Sequence, residues 1–242
     1  MFASSLTTAG VHRATPARPG MSAALPHRTE ADPLARLEAA ATTFSVDKEQ
    51  TIYTEGDPAE FCYRIVGGCV RRVKLMEDGR RQVVEFLLPG DLLGFDALDT
   101  YDLSAEAVTP VVLHCYRRGA VEALADHDPA AARRLRSLAV KGLRAAWEQM
   151  ILLGRKTAVE RISSFLLEMT ARSPRGEPDR VVLPMGRADI ADHLGLTIET
   201  VCRVLSCLRQ DGTIGTGRSV NGAQVTIRNP AALHALACAP RH

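Results

Sequence analysis

The stretch that decides the fold is DIADHLGLTIETVCRVLSCLRQDG, residues 189–212. It reads as a short helix, a turn at Gly195, and a second helix that Thr197 can cap. Apolar residues recur at helical spacing in both helices. They supply inner faces at Ala188, Ile190, Ala191 and Leu194, and at Val201, Val204, Leu205 and Leu208. The pattern predicts a helix-turn-helix unit.

The second helix also has an outward face, which carries Ile198, Glu199, Cys202 and Arg203. In the major groove of DNA, Arg can donate two hydrogen bonds to guanine and Glu can accept one from cytosine, while small side chains can touch a thymine methyl. We therefore interpret this face as one that reads the bases of double-stranded DNA. The alternative is a helix pair packed for stability alone.

Other residues near the two helices suit the sugar–phosphate backbone. Arg187, Thr197 and Thr200 stand at helix beginnings, where phosphate oxygens bind readily. The stretch DGTIGTGRSVNGAQVTI, residues 211–227, predicts two β arms around a Gly-rich turn. Such a wing would bring Arg218 and Ser219 close to the phosphates.

Charge is distributed unevenly along the 242 residues. Residues 1–128 contain 13 Lys and Arg against 19 Asp and Glu, whereas residues 129–242 contain 17 against 9. A basic C-terminal half joined to an acidic N-terminal half indicates that the C-terminal part meets a polyanion.

A long helix is predicted from Asp128-Pro129 to about Arg155. Its residues Ala139, Leu143, Ala146, Met150 and Leu153 recur at spacings of 4, 3, 4 and 3, as in the seam of a coiled coil. The alternative is that this stripe packs on the chain's own N-terminal part. We favour a homodimer seam, because a second apolar side is left for that part at Leu138, Val140, Trp147 and Leu152.

Residues 47–118 consist of short β-rich runs separated by Gly-containing turns, which is typical of an antiparallel roll or barrel. The clearest hairpin is VKLMEDGRRQVVEF, residues 73–86. Two further helices are predicted, over 33–46 and over 156–171. The inward residues of the second are Val159, Ile162, Phe165, Leu166 and Met169.

The fold class is therefore α+β, in four successive parts. Residues 1–32, rich in Ala, Pro, Ser and Arg, are expected to form a disordered leader in which Met21 is an alternative start to Met1. The other parts are an antiparallel β-roll over 33–127, a dimerisation helix over 128–155 and a winged helix-turn-helix domain over 156–242.

The sequence argues against several other classes of protein. No run of 18 apolar residues and no secretory signal is present, which indicates a cytoplasmic protein without a membrane partner. No nucleophile–base pair, phosphate-binding loop or metal motif points to an enzyme. The histidines are scattered singly, with His193 expected on a helix surface. The cysteines lack the spacing of metal ligands, so neither a metal nor a cofactor is predicted.

Four stretches together resemble the CRP/FNR transcription regulators, and within them the FixK-like branch, over nearly all of residues 33–236. The last of the four is highly specific, because the family's recognition core E-x-x-S/G/C-R stands here as Glu199, Cys202 and Arg203. The stretches are YRIVGGCVR (63–71), FLLPGDLLGFDAL (86–98), QMILLGRKTAVERISSFLLEM (149–169) and GRADIADHLGLTIETVCRVLSCLRQDGTI (186–214).

The resemblance implies a cyclic-nucleotide-binding-type β-roll, a dimerisation helix and a winged helix. It also implies a homodimer on a two-fold symmetric DNA site with half-sites one helical turn apart. For the core found here it implies a TTGA-type half-site, in which Glu199 and Arg203 read the G·C pair while Ile198 and Cys202 approach thymine methyls. Finally, it implies an activator that contacts RNA polymerase at microaerobic, respiratory or nitrogen-related genes.

Two departures from the family's sensors bear on ligands. Where cAMP-binding members carry Gly-Glu and later Arg-Ser, this chain has Gly94-Phe95 and Leu103-Ser104, so a buried cyclic phosphate would lack its Arg partner. Members with an iron–sulfur cluster use an N-terminal group of cysteines, and no Cys precedes Cys62 here. We expect no small-molecule effector. The alternative is an unidentified ligand in the roll that gates DNA binding.

Cys202 has two interpretations. Its thiol is a small group that suits the groove, or it is a redox switch. A helix N-terminus and Arg203 favour the thiolate, and oxidation to a sulfinate or sulfonate would place negative charge against DNA phosphates. The other cysteines are expected to be buried on strands (Cys62, Cys69 and Cys115) or to be packing and tail residues (Cys207 and Cys238).

Overall fold

The computed structural model describes Leu37 and residues 41–172, 179–219 and 222–238, so the predicted leader over 1–32 lies outside the described residues. Eight strands form its first part: β1 (Thr42–Val46), β2 (Thr51–Tyr53), β3 (Phe61–Gly67), β4 (Val70–Leu75), β5 (Arg81–Leu87), β6 (Leu92–Leu93), β7 (Ser104–Ala107) and β8 (Val111–Arg117). They pair in two four-stranded sheets, ordered β1-β8-β3-β6 and β2-β7-β4-β5. All pairs are antiparallel, which confirms the predicted roll.

The first strand corrects the sequence prediction. A helix is expected over 33–46, but residues 42–46 pair with residues 111–115 as an edge strand. The β-branched and aromatic residues of this segment gain backbone partners on β8, and the Phe44 ring packs edge-on against Tyr63 with centroids 6.0 Å apart. The predicted hairpin over 73–86 is confirmed as β4 and β5, which Met76 N–H closes by donating to the Arg80 carbonyl at 2.8 Å.

Tyrosine side chains fill the interior of the roll. The rings of Tyr53 and Tyr101 stack with centroids 3.7 Å apart, and Tyr63 lies 6.0 Å from Tyr53. The Tyr101 hydroxyl donates to the Phe61 carbonyl oxygen at 2.7 Å. Burial raises the pKa of all three phenols, so they stay protonated and act as hydrogen-bonded filling of the core.

Two helices leave the roll, α1 (Arg118–His127) and α2 (Pro129–Arg155). The long helix agrees with the sequence prediction, whereas α1 lies where the sequence predicted the end of the β-roll. Between them the Asp128 carboxylate accepts hydrogen bonds from the backbone N–H groups of Ala130 at 2.8 Å and Ala131 at 3.4 Å. Asp128 therefore caps α2 at its first turn.

The middle of α2 presents a broad apolar stripe that the protomer leaves uncovered. Leu138 and Leu152 pack against the core as expected, but Val140 and Trp147 do not face the roll, so that prediction is wrong. Val140 and Trp147 instead lie beside the predicted seam and widen it. Within the seam Leu153 is partly buried, and the exposed members are Ala139, Leu143, Ala146 and Met150. Between 45% and 65% of the surface is exposed at Val140, Leu143, Trp147, Met150 and Ile151.

The C-terminal part consists of α3 (Ala158–Arg172), β9 (Arg180–Leu183), α4 (Arg187–Leu194), α5 (Ile198–Gln210), β10 (Ile214–Ser219), β11 (Gly222–Ile227) and α6 (Pro230–Ala237). Its antiparallel sheet has the order β10-β11-β9, and the β10–β11 hairpin is the predicted wing. The α+β class is thus confirmed.

Within α3 the predicted inward residues are buried except Val159, which faces solvent in the first turn. Among the described helices, none combines the length and hydropathy that a membrane span requires.

Candidate nucleic-acid interface

The turn between α4 and α5 forms as the sequence predicts. Gly195 ends α4 in the left-handed conformation, with φ 60° and ψ 45°, which glycine adopts without strain. Thr197 then precedes α5, and its hydroxyl oxygen accepts a hydrogen bond from the Thr200 N–H at 3.2 Å. The turn and the cap together fix where the second helix begins.

A single guanidinium fastens this turn to the end of α2. Arg161 of α3 donates to the carbonyl oxygen of Leu194 at 2.8 Å and to that of Gly195 at 3.3 Å. It also donates to the carbonyl oxygens of Leu153 at 2.7 Å and Lys156 at 2.9 Å. These acceptors lie at two helix ends, where carbonyl groups lack partners within the helix. Sequence patterns gave no sign of this role for Arg161.

The outward face of α5 assembles as predicted. Val201, Val204, Leu205 and Leu208 are buried against the domain core. Ile198, Glu199, Cys202 and Arg203 are all exposed and lie on the opposite side, so the structure brings the four predicted base-reading residues together. We call this set the reading face. Ile198 is a large apolar residue with 47% of its surface exposed, so an apolar side chain lies beside the charged groups of this face.

The charges on the reading face are in the forms that base recognition requires. Hydrogen bonding from its own backbone N–H, and then from the Thr197 hydroxyl, lowers the pKa of Glu199, so its carboxylate is an ionised acceptor. The Arg203 guanidinium, with Nη2 3.5 Å from the Thr200 hydroxyl oxygen, is held only at the limit of hydrogen bonding. It can therefore reorient towards a base edge.

The residues predicted to contact phosphates belong to the helix-turn-helix and to the wing. Arg187 opens α4, and Thr197 and Thr200 stand at the start of α5. Burial lowers the pKa of Arg187, and electrostatic interaction with Cys202 partly offsets this effect. Ser219 lies at the end of β10, paired with Gly222. The side chain of Arg218 lies outside the described residues.

The first helix corrects two sequence predictions about its faces. Ala188 is exposed instead of contributing to the inner face, whereas the next residue, Asp189, is buried. Burial is stable there because Asp189 accepts hydrogen bonds from two arginines of the roll, Arg71 at 3.1 Å and Arg81 at 2.8 Å. The residues next to Asp189 in the sequence do not indicate that it will be buried, because its partners are more than one hundred residues away.

His193 is also buried, so its predicted position on a helix surface is wrong. Its ring lies between Phe86 and Phe165, with centroids 5.2 Å and 5.8 Å away. Nδ1 lies 3.0 Å from the Val83 carbonyl oxygen and donates to it. Burial lowers the pKa of this imidazole, which holds it neutral. His193 is therefore a packing residue between the roll and the helix-turn-helix.

The cysteines differ sharply in their surroundings. Cys62 and Cys69 are buried, and burial raises the pKa of Cys62 to about 11 and that of Cys69 to about 12, so both are neutral thiols. Cys69 precedes β4 instead of lying on a strand, and Cys115 is only partly buried. Cys202 and Cys207 are exposed on α5, so the packing role predicted for Cys207 is wrong. Within the described ranges, no group of His, Cys, Asp and Glu could hold a metal ion.

Comparison with known protein families gives two matches that agree with this architecture. The cyclic nucleotide-binding domain family matches residues 43–128. The Crp-like helix-turn-helix domain family matches residues 160–236, which include the turn and the whole reading face.

Similar whole proteins and structures extend the comparison. The nitrogen fixation regulation protein FixK of Azorhizobium caulinodans is 43% identical over 192 residues, 78% of this chain and 76% of the relative. The transcriptional activator protein FnrL of Cereibacter sphaeroides is 37% identical over 193 residues, 77% of this chain and 78% of the relative. The structure of FixK2 from Bradyrhizobium japonicum superimposes with a TM-score of 0.77 at 43% identity, covering 83% of this chain and 99% of that one.

Proposed function

Because the chain belongs to the CRP/FNR family of transcription regulators, which bind DNA through a helix-turn-helix, we propose that a homodimer of it reads a palindromic site. Each protomer places α5 in the major groove, with Glu199 and Arg203 against the G·C pair of a TTGA half-site. Ile198 and Cys202 lie next to thymine methyls, and Arg187, Thr197, Thr200, Arg218 and Ser219 contact phosphates.

The observation that carries this proposal is the reading face itself. A charged acceptor, a charged donor, a thiol and an exposed Ile share one side of a helix whose other side is fully buried. This combination supplies one partner each for cytosine, guanine and thymine methyl groups.

The homodimer rests on the apolar stripe of α2. Its exposed members lie at helical spacing along one side of the helix, and Ala139 and Ala146 allow a second helix to approach closely. An uncovered stripe of this kind marks an interface. Pairing two copies of α2 about a two-fold axis would present two reading faces to successive turns of the groove, about 34 Å apart.

Target genes and the transcription machinery are inferred from the relatives. FixK proteins are nitrogen fixation regulators by name, and FnrL is named a transcriptional activator. We propose that this chain is likewise an activator, acts in the bacterial cytoplasm, contacts RNA polymerase and controls microaerobic, respiratory or nitrogen-related genes.

The roll does not fit a cyclic nucleotide, although its family is named for that ligand. Its interior is occupied by the stacked rings of Tyr53 and Tyr101. The loop around Gly94 is held by Arg118, which donates to the carbonyl oxygens of Gly94 at 2.6 Å and Ala97 at 2.8 Å. The Ser104 hydroxyl accepts from the Glu55 N–H at 3.0 Å. The polar groups of this loop and of Ser104 are thus already hydrogen-bonded within the roll. We therefore propose that the protein binds DNA without a small-molecule effector.

The direct test measures DNA binding by the purified protein without any added small molecule or cell extract. A fluorescent duplex carries two inverted TTGA half-sites with centres about 10 base pairs apart, and a scrambled duplex of equal composition is the control. Fluorescence anisotropy should give at least about a thousandfold preference for the palindrome at physiological salt. Equal affinity for both duplexes would refute sequence-specific binding. A preference that emerges only with cell extract would favour the alternative of a ligand-gated regulator.

Oxidation of Cys202 is a second proposed property of the reading face. Its thiol is exposed on the reading face, and peroxide would oxidise it to a sulfinate whose negative charge would face DNA phosphates. We expect peroxide to weaken operator binding by wild type at least tenfold, because a like charge would stand against the groove. Cys202→Ser should bind equally before and after treatment.

Cys207 provides a matched control, since it is exposed on the same helix four positions beyond Arg203 and is not a member of the reading face. Cys207→Ser should remain as sensitive to peroxide as wild type. Intact-mass spectrometry would show which thiol gains oxygen. If Cys202→Ser loses DNA binding in peroxide as wild type does, Cys202 is not the switch.

A further inference from the structure

Two arginines of the roll reach across to the first helix of the helix-turn-helix. Arg81 of β5 donates through Nη2 to Asp189 at 2.8 Å and to Asp192 at 2.8 Å, and through Nε to Asp192 at 3.0 Å. Arg71 of β4 donates through Nη1 to both carboxylate oxygens of Asp189, at 3.1 Å and 3.2 Å. We call these four residues the ionic junction. Its two arginines are more than one hundred residues away from its two aspartates in the sequence.

The junction is buried at its centre. The side chains of Arg71 and Asp189 expose 6% and 10% of their surface. Arg71 also binds Glu49 at 2.6 Å and Glu106 at 2.8 Å, so the two guanidinium groups face four carboxylates. Buried ion pairs add little net stability, but they restrict packing to the one geometry in which every charge has a partner. The junction is therefore suited to fixing an orientation.

Apolar packing beside the ionic junction also holds the roll and the helix-turn-helix together. One continuous apolar cluster joins Val83 and Phe86 of the roll to Phe165 of α3 and Ile190 of α4. The side-chain amides of Gln82 and Gln149 both donate to the His193 carbonyl oxygen, at 3.2 Å and 2.8 Å. The helix-turn-helix thus contacts the roll and α2 at the same time.

This contact leaves the reading face free. The junction uses α4, whereas Ile198, Glu199, Cys202 and Arg203 on α5 remain exposed. Because α5 is joined to α4 by the turn at Gly195 and packs with it in one apolar cluster, the direction of the reading face follows the position of α4 on the roll. In a dimer the distance between two reading faces would be set in the same way.

We propose that Arg71 and Arg81 are positioning residues for DNA recognition: they hold the helix-turn-helix against the roll, and so set the half-site spacing that the dimer accepts. This inference rests on the proposed function of α5. A helix-turn-helix released from the roll would lose orientational freedom on binding both half-sites, which weakens binding to the correct spacing. It would also adapt more easily to an incorrect spacing.

The test compares affinities for the palindrome and for a duplex with about two base pairs inserted between the half-sites. Wild type should strongly prefer the original spacing. Arg81→Gln should bind the original duplex about tenfold more weakly while changing no more than about twofold on the longer one, because it loses the Arg81 bonds of the junction but keeps its reading face. Selectivity for spacing would then fall. A role in folding alone would weaken binding to both duplexes by the same factor.

Matched variants separate the possible outcomes. Arg80→Gln is the control, because Arg80 is exposed and its ion pair is with Asp78 of the same turn. Arg81→Lys keeps the charge and should recover most of the spacing selectivity. If wild type prefers one spacing and Arg81→Gln retains that preference, the positioning role is wrong. If wild type itself shows no preference for the palindrome, it is the proposed function that fails.

Discussion

Replacing Leu143 by Asp is expected to convert the dimer into monomers and to weaken binding to the palindrome by about 10² to 10⁴-fold. Leu143 lies at the centre of the uncovered stripe on α2. In a symmetric dimer, two carboxylates would be buried near the axis, and an unpaired buried charge is strongly unfavourable. A monomer engages one half-site only and loses the effective concentration that links the second to the first.

Because half of Leu143 is exposed within the protomer, the substitution leaves the fold of each protomer intact. Multi-angle light scattering would measure the mass of the particle, and fluorescence anisotropy the operator affinity. Leu98→Asp is the matched control, since Leu98 is an exposed leucine of the roll and is not a member of the stripe on α2. An unchanged dimer mass for Leu143→Asp would show that the stripe is not the seam.

Replacing Arg203 by Ala should remove recognition of one guanine in each half-site. A bidentate contact of Arg with guanine is worth roughly 1–3 kcal/mol of discrimination, or about 5 to 150-fold for each half-site. Since Arg203 is exposed and its contact with Thr200 is marginal, the loss should appear in DNA binding and not in the stability of the fold. The variant should discriminate between G·C and A·T at that position about 5 to 150-fold less than wild type, with the residual preference coming from Glu199.

A panel of duplexes with each base pair of the half-site replaced in turn would measure this effect. Arg209→Ala is the control, because Arg209 is exposed in the last turn of α5, distant from the reading face. It should leave base preference unchanged. Equal losses by Arg203→Ala on the palindrome and on random duplexes would contradict a base-reading role.

The features that could be predicted from the sequence depend on neighbours along the chain. The cap at Thr197, the turn at Gly195 and the two faces of α5 follow from residues within four positions of one another. The β4–β5 hairpin and the wing follow from turn residues between β-rich arms. These are also the features on which the reading face depends, so the candidate site was largely visible in the sequence.

The features that could not be predicted depend on contacts between distant segments. Asp189 and His193 are polar residues on a short helix, and sequence periodicity places such residues in solvent. Their burial requires Arg71, Arg81 and the Val83 carbonyl, all supplied by the roll. On α2, the apolar residues outside the heptad could face either the roll or a partner, and only the structure shows that Val140 and Trp147 are uncovered.

The most direct measurement is a selection of bound sequences from a library of random duplexes, performed in parallel with wild type and Arg203→Ala. Wild type should enrich inverted TTGA half-sites with centres about one helical turn apart. The variant should enrich the same arrangement with the guanine position relaxed. If wild type enriches no common sequence, or if both proteins retain the same guanine, then Arg203 and the reading face of α5 do not read the bases.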